Sequence, residues 1–263
     1  MNLYDAHNHL QDDRFGGRQA ELLEVCAEVG VVRAVVNGAC ETDWPQVNEL
    51  ARTCPLVLPS FGYHPWYLAE RTFDWEKTLT HWLDATGGAV GEIGLDRWKP
   101  GLAYEDQEAM FLAQLRQATE RNRPASIHCL QAWGRLQELL AANPRPICGW
   151  VLHSFGGPVE MIPGLAKLGA YFSFPGNYLH ERKRRQRETF RHVPPERLLI
   201  ETDAPDQLLP PELTRFPLAD AGGKPLNHPA NLVVIYEELA KFLDRNPQDL
   251  AAQVEENFLR VFG

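Results

Sequence analysis

Eight short apolar runs, separated by longer helix-like stretches, constrain the fold of this chain more than any other feature. The runs lie at residues 3–7, 31–38, 56–62, 89–95, 125–129, 149–154, 170–174 and 198–203. Strands that alternate with helices pair in parallel, because each crossover needs a helix. The pattern therefore predicts an α/β fold with a single (β/α)8 TIM-type barrel domain over residues 1–263. An open doubly wound sheet is the alternative, but no glycine-rich nucleotide motif follows any run to favour it.

A barrel of this kind carries its catalytic side chains at the carboxyl ends of the strands or in the loops just after them. Those positions here hold an unusual number of histidines and carboxylates. The set comprises His7, His9, His64, Glu92, Asp96, His128, His153 and Asp203. Any one of them alone could be structural, but their convergence on one barrel mouth predicts a metal site.

The first run continues into DAHNHL, which spaces Asp5, His7 and His9 at every second position. Alternate residues of a strand point to the same side. His7 and His9 would therefore face one cation together, with Asp5 one layer deeper as their support.

Glu92 lies within the apolar run AVGEIGL, where an unpaired carboxylate would cost several kcal/mol. No Lys or Arg lies in that run, so Glu92 needs another cation as its partner. Four histidines and two carboxylates exceed the ligand set of a single catalytic zinc. We therefore predict two divalent metal ions, with the two oxygens of Glu92 shared between them.

The net charge of −9 is unfavourable for a protein that coats long nucleic acid. It is compatible with a small metal-centred site that binds one phosphate group. The five cysteines are odd in number and form no C-x-x-C pair, which argues against a disulfide framework and a zinc-thiolate site.

The amino-terminal residues contain no apolar run of the kind that a secretory signal needs. The most apolar early stretch, residues 22–36, is interrupted by Glu24, Glu28 and Arg33 and is too polar for a membrane span. We therefore expect a cytoplasmic protein without membrane contact.

Motifs recur along nearly the whole chain, from DAHNHL through GYHPW, GEIGLD, HSFGG, ETDAP and NHPANL to the closing ENFLRVF. In order and spacing they resemble the TatD family of metal-dependent deoxyribonucleases, within the amidohydrolase-like barrels. The resemblance implies a metal-dependent hydrolase of phosphodiester bonds, acting like a 3'-exonuclease on single-stranded or frayed DNA. DNA or a small phosphodiester would be the substrate, bound locally at the metal site.

The resemblance also implies a role for each residue of the site. His7, His9 and Asp203 would bind the first metal, and Glu92 would bridge to a second metal held by His128 and His153. His64 would contact the scissile phosphate, and Asp203 would also take the proton of the attacking water. The metals would be Zn²⁺, Mn²⁺ or Mg²⁺, although the histidines lean away from Mg²⁺ alone.

Four departures from the family pattern fall around the expected cleft. Trp66 follows the His-Pro of GYHPW where a second His is frequent, HSFGG replaces HCFSG, Asp206 replaces an aromatic, and His228 replaces Glu. None removes an expected ligand. They put the substrate in question, because Trp66, Asp206 and His228 would shape the cleft; Trp66 and Trp98 could stack on a base or simply pack at the rim.

Two further segments have open roles. The basic stretch HERKRRQRETFRH begins near the catalytic face, and Arg182 is the predicted phosphate contact, while most of residues 182–187 could form a solvated helix face. The proline-rich segment 206–229 could form a wall of the cleft through Leu208, Phe216 and Asn227, or could be a packed insertion.

Two other functions remain open. A metallohydrolase on the same scaffold could cleave an ester or amide, such as an aminoacyl ester, although the lysine needed for a carboxylated-lysine bridge is missing from the strand ends. A metal-binding scaffold without catalysis would bind metals and turn over no substrate. The amphipathic helices of a barrel do not reveal its oligomeric state.

Overall fold

Eight parallel strands form one sheet in which neighbours in sequence are neighbours in space. The computed structural model describes all residues from 1 to 263. The strands are β1 (Leu3–Asn8), β2 (Val31–Asn37), β3 (Val57–Phe61), β4 (Ala89–Asp96), β5 (Ala125–Leu130), β6 (Trp150–Leu152), β7 (Ala170–Pro175) and β8 (Leu198–Glu201). Each of the eight predicted runs overlaps one of these strands, and the predicted TIM-type barrel is confirmed.

Nine helices surround the sheet. They are α1 (Gln19–Glu28), α2 (Trp44–Thr53), α3 (Trp75–Thr86), α4 (Tyr104–Arg121), α5 (Trp133–Ala142), α6 (Ile162–Lys167), α7 (Arg184–Thr189), α8 (Leu232–Phe242) and α9 (Pro247–Phe262). None of them combines the length and the apolar character that a membrane crossing requires.

Helix α9 shows how the local sequence sets these elements. Its start is fixed by Asn246, whose side chain accepts hydrogen bonds from the backbone N–H of Gln248 at 2.8 Å and of Asp249 at 3.4 Å, and by Pro247 in the first turn. Leu250, Val254 and Phe258, four residues apart, form the buried stripe of the helix. This stripe packs on β1 and β8, so the last helix covers the place where the barrel closes.

The two ends of the sheet, β1 and β8, meet without a regular ladder of hydrogen bonds. The Asp203 N–H donates to the His7 carbonyl at 3.0 Å, and the His9 N–H donates to the Ala204 carbonyl at 2.8 Å. Below them the buried Asp5 carboxylate accepts from the Thr202 N–H at 3.0 Å and from its hydroxyl at 2.5 Å. A side chain therefore holds the closure just beneath the strand ends.

The segment 206–229 contains a small antiparallel hairpin that the sequence did not predict, β9 (Pro217–Ala219) paired with β10 (Pro225–Asn227). Asn227 is buried and donates to the Thr202 carbonyl at 2.8 Å. The buried Leu209, Leu226 and Asn227 anchor the segment beside β8 while its turns are exposed, which favours an insertion held by packing, one of the two alternatives that the sequence left open.

Candidate metal centre

Four candidate ligand atoms, from the carboxyl ends of β1 and β8 and from β4, lie close together. His7 Nε2 and His9 Nε2 are 3.3 Å apart, and they lie 3.4 and 3.2 Å from Glu92 Oε2. Asp203 Oδ1 is 3.6 Å from each of the two nitrogens. The strand-end residues of β1 and β8 therefore share one point in space with Glu92.

The other oxygen of Glu92 faces a second group of nitrogens. Glu92 Oε1 lies 2.9 Å from His153 Nε2, 3.1 Å from His128 Nδ1 and 3.4 Å from His64 Nε2. His128 Nδ1 and His153 Nε2 are 3.2 Å apart. The two carboxylate oxygens of Glu92 thus belong to two adjacent clusters, which is the geometry of a bridging ligand.

These separations fit divalent cations. Ligands that bind a tetrahedral ion at about 2.0–2.1 Å stand about 3.3–3.4 Å from one another. The distances given above, from 2.9 to 3.6 Å, surround that value. The side chains involved are almost wholly buried, except that of His9, which is 17% exposed, and imidazole with carboxylate is the donor set of zinc and manganese sites.

The hydrogen bonds of two histidines fix which ring nitrogen is free to bind. His9 Nδ1 donates to the Asn37 carbonyl at 2.7 Å, so Nε2 is the nitrogen that faces Glu92. His128 Nε2 donates to Asp96 Oδ2 at 3.0 Å, which leaves Nδ1 as the nitrogen that faces Glu92. Such partners set both the tautomer and the orientation of a metal-binding ring.

His64 has the opposite arrangement. Its Nδ1 accepts the Trp66 backbone N–H at 3.2 Å, so the neutral ring carries its proton on Nε2, the nitrogen that faces the centre. Burial lowers the pKa of His64 well below its ordinary value and keeps the ring neutral. His64 therefore lies within reach of the second cluster as a hydrogen-bond donor, as expected of a group that contacts an anionic oxygen.

Burial and neighbouring rings act against each other on the carboxylates. Burial alone would raise the pKa of Glu92, but His64, His153 and His7 lower it well below its ordinary value. Burial raises the pKa of Asp203, and the nearby histidines only partly offset this effect. Glu92 is thus held as a carboxylate, and Asp203 retains affinity for a proton.

The close approach of β4 and β5 brings Glu92 and His128 together. Gly94 lies between them with φ +151°, and any side chain there would collide with the His128 carbonyl. Only glycine adopts this conformation without strain, which accounts for the second glycine of GEIGLD.

Two groups that contact the ligands, Glu201 and Gln207, were not identified from the sequence. The buried Glu201 accepts from the Ser154 N–H at 2.7 Å and from the hydroxyls of Ser154 and Ser173, and its Oε1 is 3.6 Å from His153 Nδ1. Gln207 donates to Asp203 Oδ2 at 2.6 Å. The only signal for Glu201 was its place in ETDAP as a carboxylate inside the last apolar run, as for Glu92.

Asp5 supports the site differently from the expectation. Its carboxylate accepts from the His7 backbone N–H at 3.3 Å and from Thr202, and it makes no hydrogen bond to either imidazole. The His7 ring is held instead by Ser126 Oγ, 2.7 Å from its Nδ1. Asp5 thus positions the backbone next to Asp203 and His7.

The clusters open into a cavity of about 680 Å³ that is bordered by Trp66, Trp98, Tyr178, Lys183 and Gln207. The sequence predicts Arg182 as the phosphate contact of the basic stretch, whereas the structure places Lys183 on this wall and Arg182 in solvent. The Trp66 indole N–H donates to Asp96 Oδ2 at 2.7 Å, and 59% of Trp98 is exposed.

Two expectations about the shape of the cleft need correction. His228 lies away from the cavity, where its Nδ1 accepts the Ala230 N–H at 3.0 Å and caps a short turn, and burial lowers its pKa to about 4. Asp206 does border the cavity, held by the Arg14 guanidinium at 2.7 Å. From the segment 206–229, only Asp206 and Gln207 border it, and Leu208, Phe216 and Asn227 do not.

A comparison with known protein families decides the relationship. The family model described as "TatD related DNase" matches residues 4–263. The chain belongs to the TatD family. The expected resemblance is confirmed, with the match covering every strand of the barrel and both clusters.

Members of the TatD family with similar sequences cover the same length. A protein of Escherichia fergusonii named "3'-5' ssDNA/RNA exonuclease TatD" is 30% identical over an alignment of 267 residues that covers 99% of this chain and 99% of the relative. The "Uncharacterized metal-dependent hydrolase YabD" of Bacillus subtilis is 27% identical over 263 residues, or 99% and 98% of the two chains.

A solved TatD structure has the same fold. The TatD homologue YJJV of Escherichia coli superimposes with a TM-score of 0.89 at 24% identity, covering 99% of this chain and 97% of the other. The barrel is thus the fold of the family.

Proposed function

We propose that this chain is a metal-dependent hydrolase of phosphodiester bonds that removes nucleotides from a 3' end of single-stranded DNA. The observation that carries the proposal is Glu92, whose two oxygens each face a separate cluster of ligand nitrogens at the bottom of an open cavity. A pair of adjacent cations suits the displacement at a phosphorus atom, where the attacking and leaving oxygens both need stabilisation. The names of the relatives agree with this substrate class.

In the proposed site, His7, His9 and Asp203 hold one cation, His128 and His153 hold the other, and Glu92 bridges them. Bound cations would acidify a water molecule and offset charge on the phosphoryl oxygens. The imidazole ligands favour Zn²⁺ or Mn²⁺ over Mg²⁺ alone.

The protein's own groups supply the remaining steps. Asp203 Oδ2 accepts a hydrogen bond from Gln207 at 2.6 Å, which orients the carboxylate, and Asp203 takes the proton of the attacking water. The Nε2–H of His64 donates to a non-bridging oxygen of the scissile phosphate. The fixed positions of Asp203 and His64 would hold both side chains beside the reacting atoms.

The test is cleavage of a short single-stranded DNA by metal-stripped protein, repeated with Mn²⁺, Zn²⁺ or Mg²⁺ restored. We expect metal-dependent cutting that falls by at least about 10³-fold in Asp203→Asn, which removes the base. Asp249→Asn is the matched control, because it makes the same change at an exposed position of α9 that borders neither cavity, and it should retain most of the activity.

Two results would contradict the proposal. If metals bind but no DNA or RNA is cut, the substrate is an ester or amide, or the protein is a scaffold without catalysis. If Asp203→Asn cuts as fast as the original protein, Asp203 is not the base.

A further inference from the structure

The cations of the basic stretch divide into two groups by their partners. Arg184 and Arg187 pair with Glu181 at 3.8 and 3.3 Å, and Arg191 pairs with Glu188 at 3.2 Å. By contrast, the side chains of Arg182, Lys183 and Arg185 form neither an ion pair nor a hydrogen bond. In a chain with a net charge of −9, neighbouring cations without carboxylate partners call for an explanation.

Two of the three unpaired cations border cavities on the catalytic face. Lys183 lies on the wall of the central cavity. Arg185 lies on the wall of a second cavity of about 530 Å³, which is bordered by the loops that follow β5 and β6 and by α7. We call Lys183 and Arg185 together the basic surface.

The two cavities adjoin each other at Gly156 and Tyr178. Gly156, on the edge of the second cavity, has no side chain, and a Cβ there would lie 3.1 Å from the Tyr178 hydroxyl on the wall of the central cavity. The side chains of Gln131 and Gln186 also border the second cavity, as do two carboxylates, Glu160 and Glu188, of which Glu188 is paired with Arg191 at 3.2 Å. A polar chain could therefore leave the metal centre past Tyr178 and continue along Arg185.

The opposite side of the metal centre has the reverse charge. An arm of about 470 Å³ extends from His9, His64 and Glu92 and is bordered by five carboxylates, Asp12, Asp13, Asp43, Glu70 and Asp206. Its only Lys or Arg is Arg14, which is bound to Asp12 and Asp206, each at 2.7 Å. A phosphate in this arm would meet uncompensated negative charge.

We propose that the uncleaved part of a single-stranded nucleic acid leaves the metal centre over the basic surface, so that successive phosphates contact Lys183 and then Arg185. This inference rests on the proposed function, because it assigns a direction to the substrate of the same site. Phosphate contacts of this kind position a strand without reading its sequence. The negative charge of the acidic arm keeps the uncleaved nucleic acid away from that side of the metal centre. Only the 3' end that is removed can lie in the arm.

The test compares the double variant Lys183→Gln, Arg185→Gln with the double variant Arg184→Gln, Arg191→Gln, which removes two cations that already have carboxylate partners. Binding of a fluorescent 12-nucleotide single strand is measured by anisotropy in the Asp203→Asn background over a range of salt concentrations. We expect the basic-surface variant to bind about tenfold more weakly and to lose about 1.4 from the slope of log K against log salt, because two phosphate contacts are removed. The control should match the parent protein within about twofold.

Cleavage of the 12-nucleotide strand and of a dinucleotide then separates the two proposals. The basic-surface variant should lose at least about fivefold more kcat/KM on the long strand than on the dinucleotide, which carries one phosphate. Equal losses on both substrates, or unchanged binding and slope, would overturn the inference and leave the proposed function standing. If the parent protein cleaves neither substrate while the variant binds more weakly, the proposed function fails and the basic surface is supported.

Discussion

At the scale of the residue, the centre depends on which nitrogen of each imidazole carries the proton. The carbonyl of Asn37 and the carboxylate of Asp96 each accept one ring N–H, and the other nitrogen of each ring is thereby directed at Glu92. Asp96 is itself held by the Trp66 indole at 2.7 Å. Trp66, predicted from its position to contact substrate, therefore also has a structural link to His128.

Substitution of Trp66 by Phe should weaken metal binding. The change keeps an aromatic ring but removes the N–H that orients Asp96, and residues outside the ligand set tune affinity through such contacts. We expect the affinity for one of two bound Mn²⁺ ions to fall up to about tenfold, measured by isothermal titration calorimetry. Trp98→Phe is the control, since its indole makes no hydrogen bond, and an equal loss there would show that the Asp96 contact is irrelevant.

At the scale of the element, the sequence predicted the strands better than their ends. The run 198–203 was predicted as one strand, but β8 ends at Glu201, and Asp203 has φ +52°. Likewise β6 ends at Leu152 and Ser154 has φ +45°. The pattern of apolar residues predicts which residues are buried. At the mouth of a barrel, polar residues are buried by contacts with one another, whether or not their backbone belongs to a strand. The pattern therefore could not show that the backbone turns after Glu201 and after Leu152. The β9–β10 hairpin was hidden for a related reason, because prolines at its start resemble loop residues.

Asn257 of α9 offers a test of how the last helix is fixed to the barrel. It is fully buried within the apolar stripe, and its Nδ2 donates to the carbonyls of Pro195 and Leu198 at 2.7 and 2.8 Å. Asn257→Ala should lower the free energy of unfolding by about 1–3 kcal/mol, because two carbonyls at the start of β8 lose their partner. Urea denaturation measures this, and Glu256→Ala, at an exposed site in the same turn, should cost less than about 0.5 kcal/mol. Equal midpoints for the two variants would refute it.

At the scale of the whole molecule, residues from five strands, β1, β4, β5, β6 and β8, or from the positions just after them, meet at the mouth of the barrel. The sequence predicted this convergence because a barrel gathers the carboxyl ends of its strands, and the ligand atoms of His7, His9, Glu92, His128, His153 and Asp203 do lie together. It could not predict the contributions of Ser126, Glu201 and Gln207, since an ordinary polar residue carries no signal of its partner across the barrel. The sequence could not predict the difference in charge between the basic surface and the acidic arm either, because this difference depends on which Lys and Arg side chains are already paired with carboxylates.

Metal removal should destabilise the entire barrel. Cations held by several strand ends cross-link the sheet, and a ligand present at about 1,000 times its dissociation constant adds about 4 kcal/mol to stability. We expect the unfolding midpoint to rise by on the order of 10 °C when Mn²⁺ is added to metal-stripped protein in a thermal scan. In Glu92→Gln, which loses the bridging charge, the rise should be much smaller, and an identical rise in both would argue against the shared ligand.

Because the barrel closes between β1 and β8, the two clusters of the site are completed at different times during synthesis. With ligands assigned as proposed, Glu92, His128 and His153, which would hold one of the cations, are all present once residue 153 has been synthesised. The cluster of His7, His9 and Asp203 must wait for residue 203, although its first two members are among the first residues made. At a synthesis rate of about 5–20 residues per second, the growing chain has the residues of only one of the two clusters for several seconds. A ribosome-bound chain that lacks Asp203 lacks the proposed base, so it becomes active only after β8 has closed the barrel against β1.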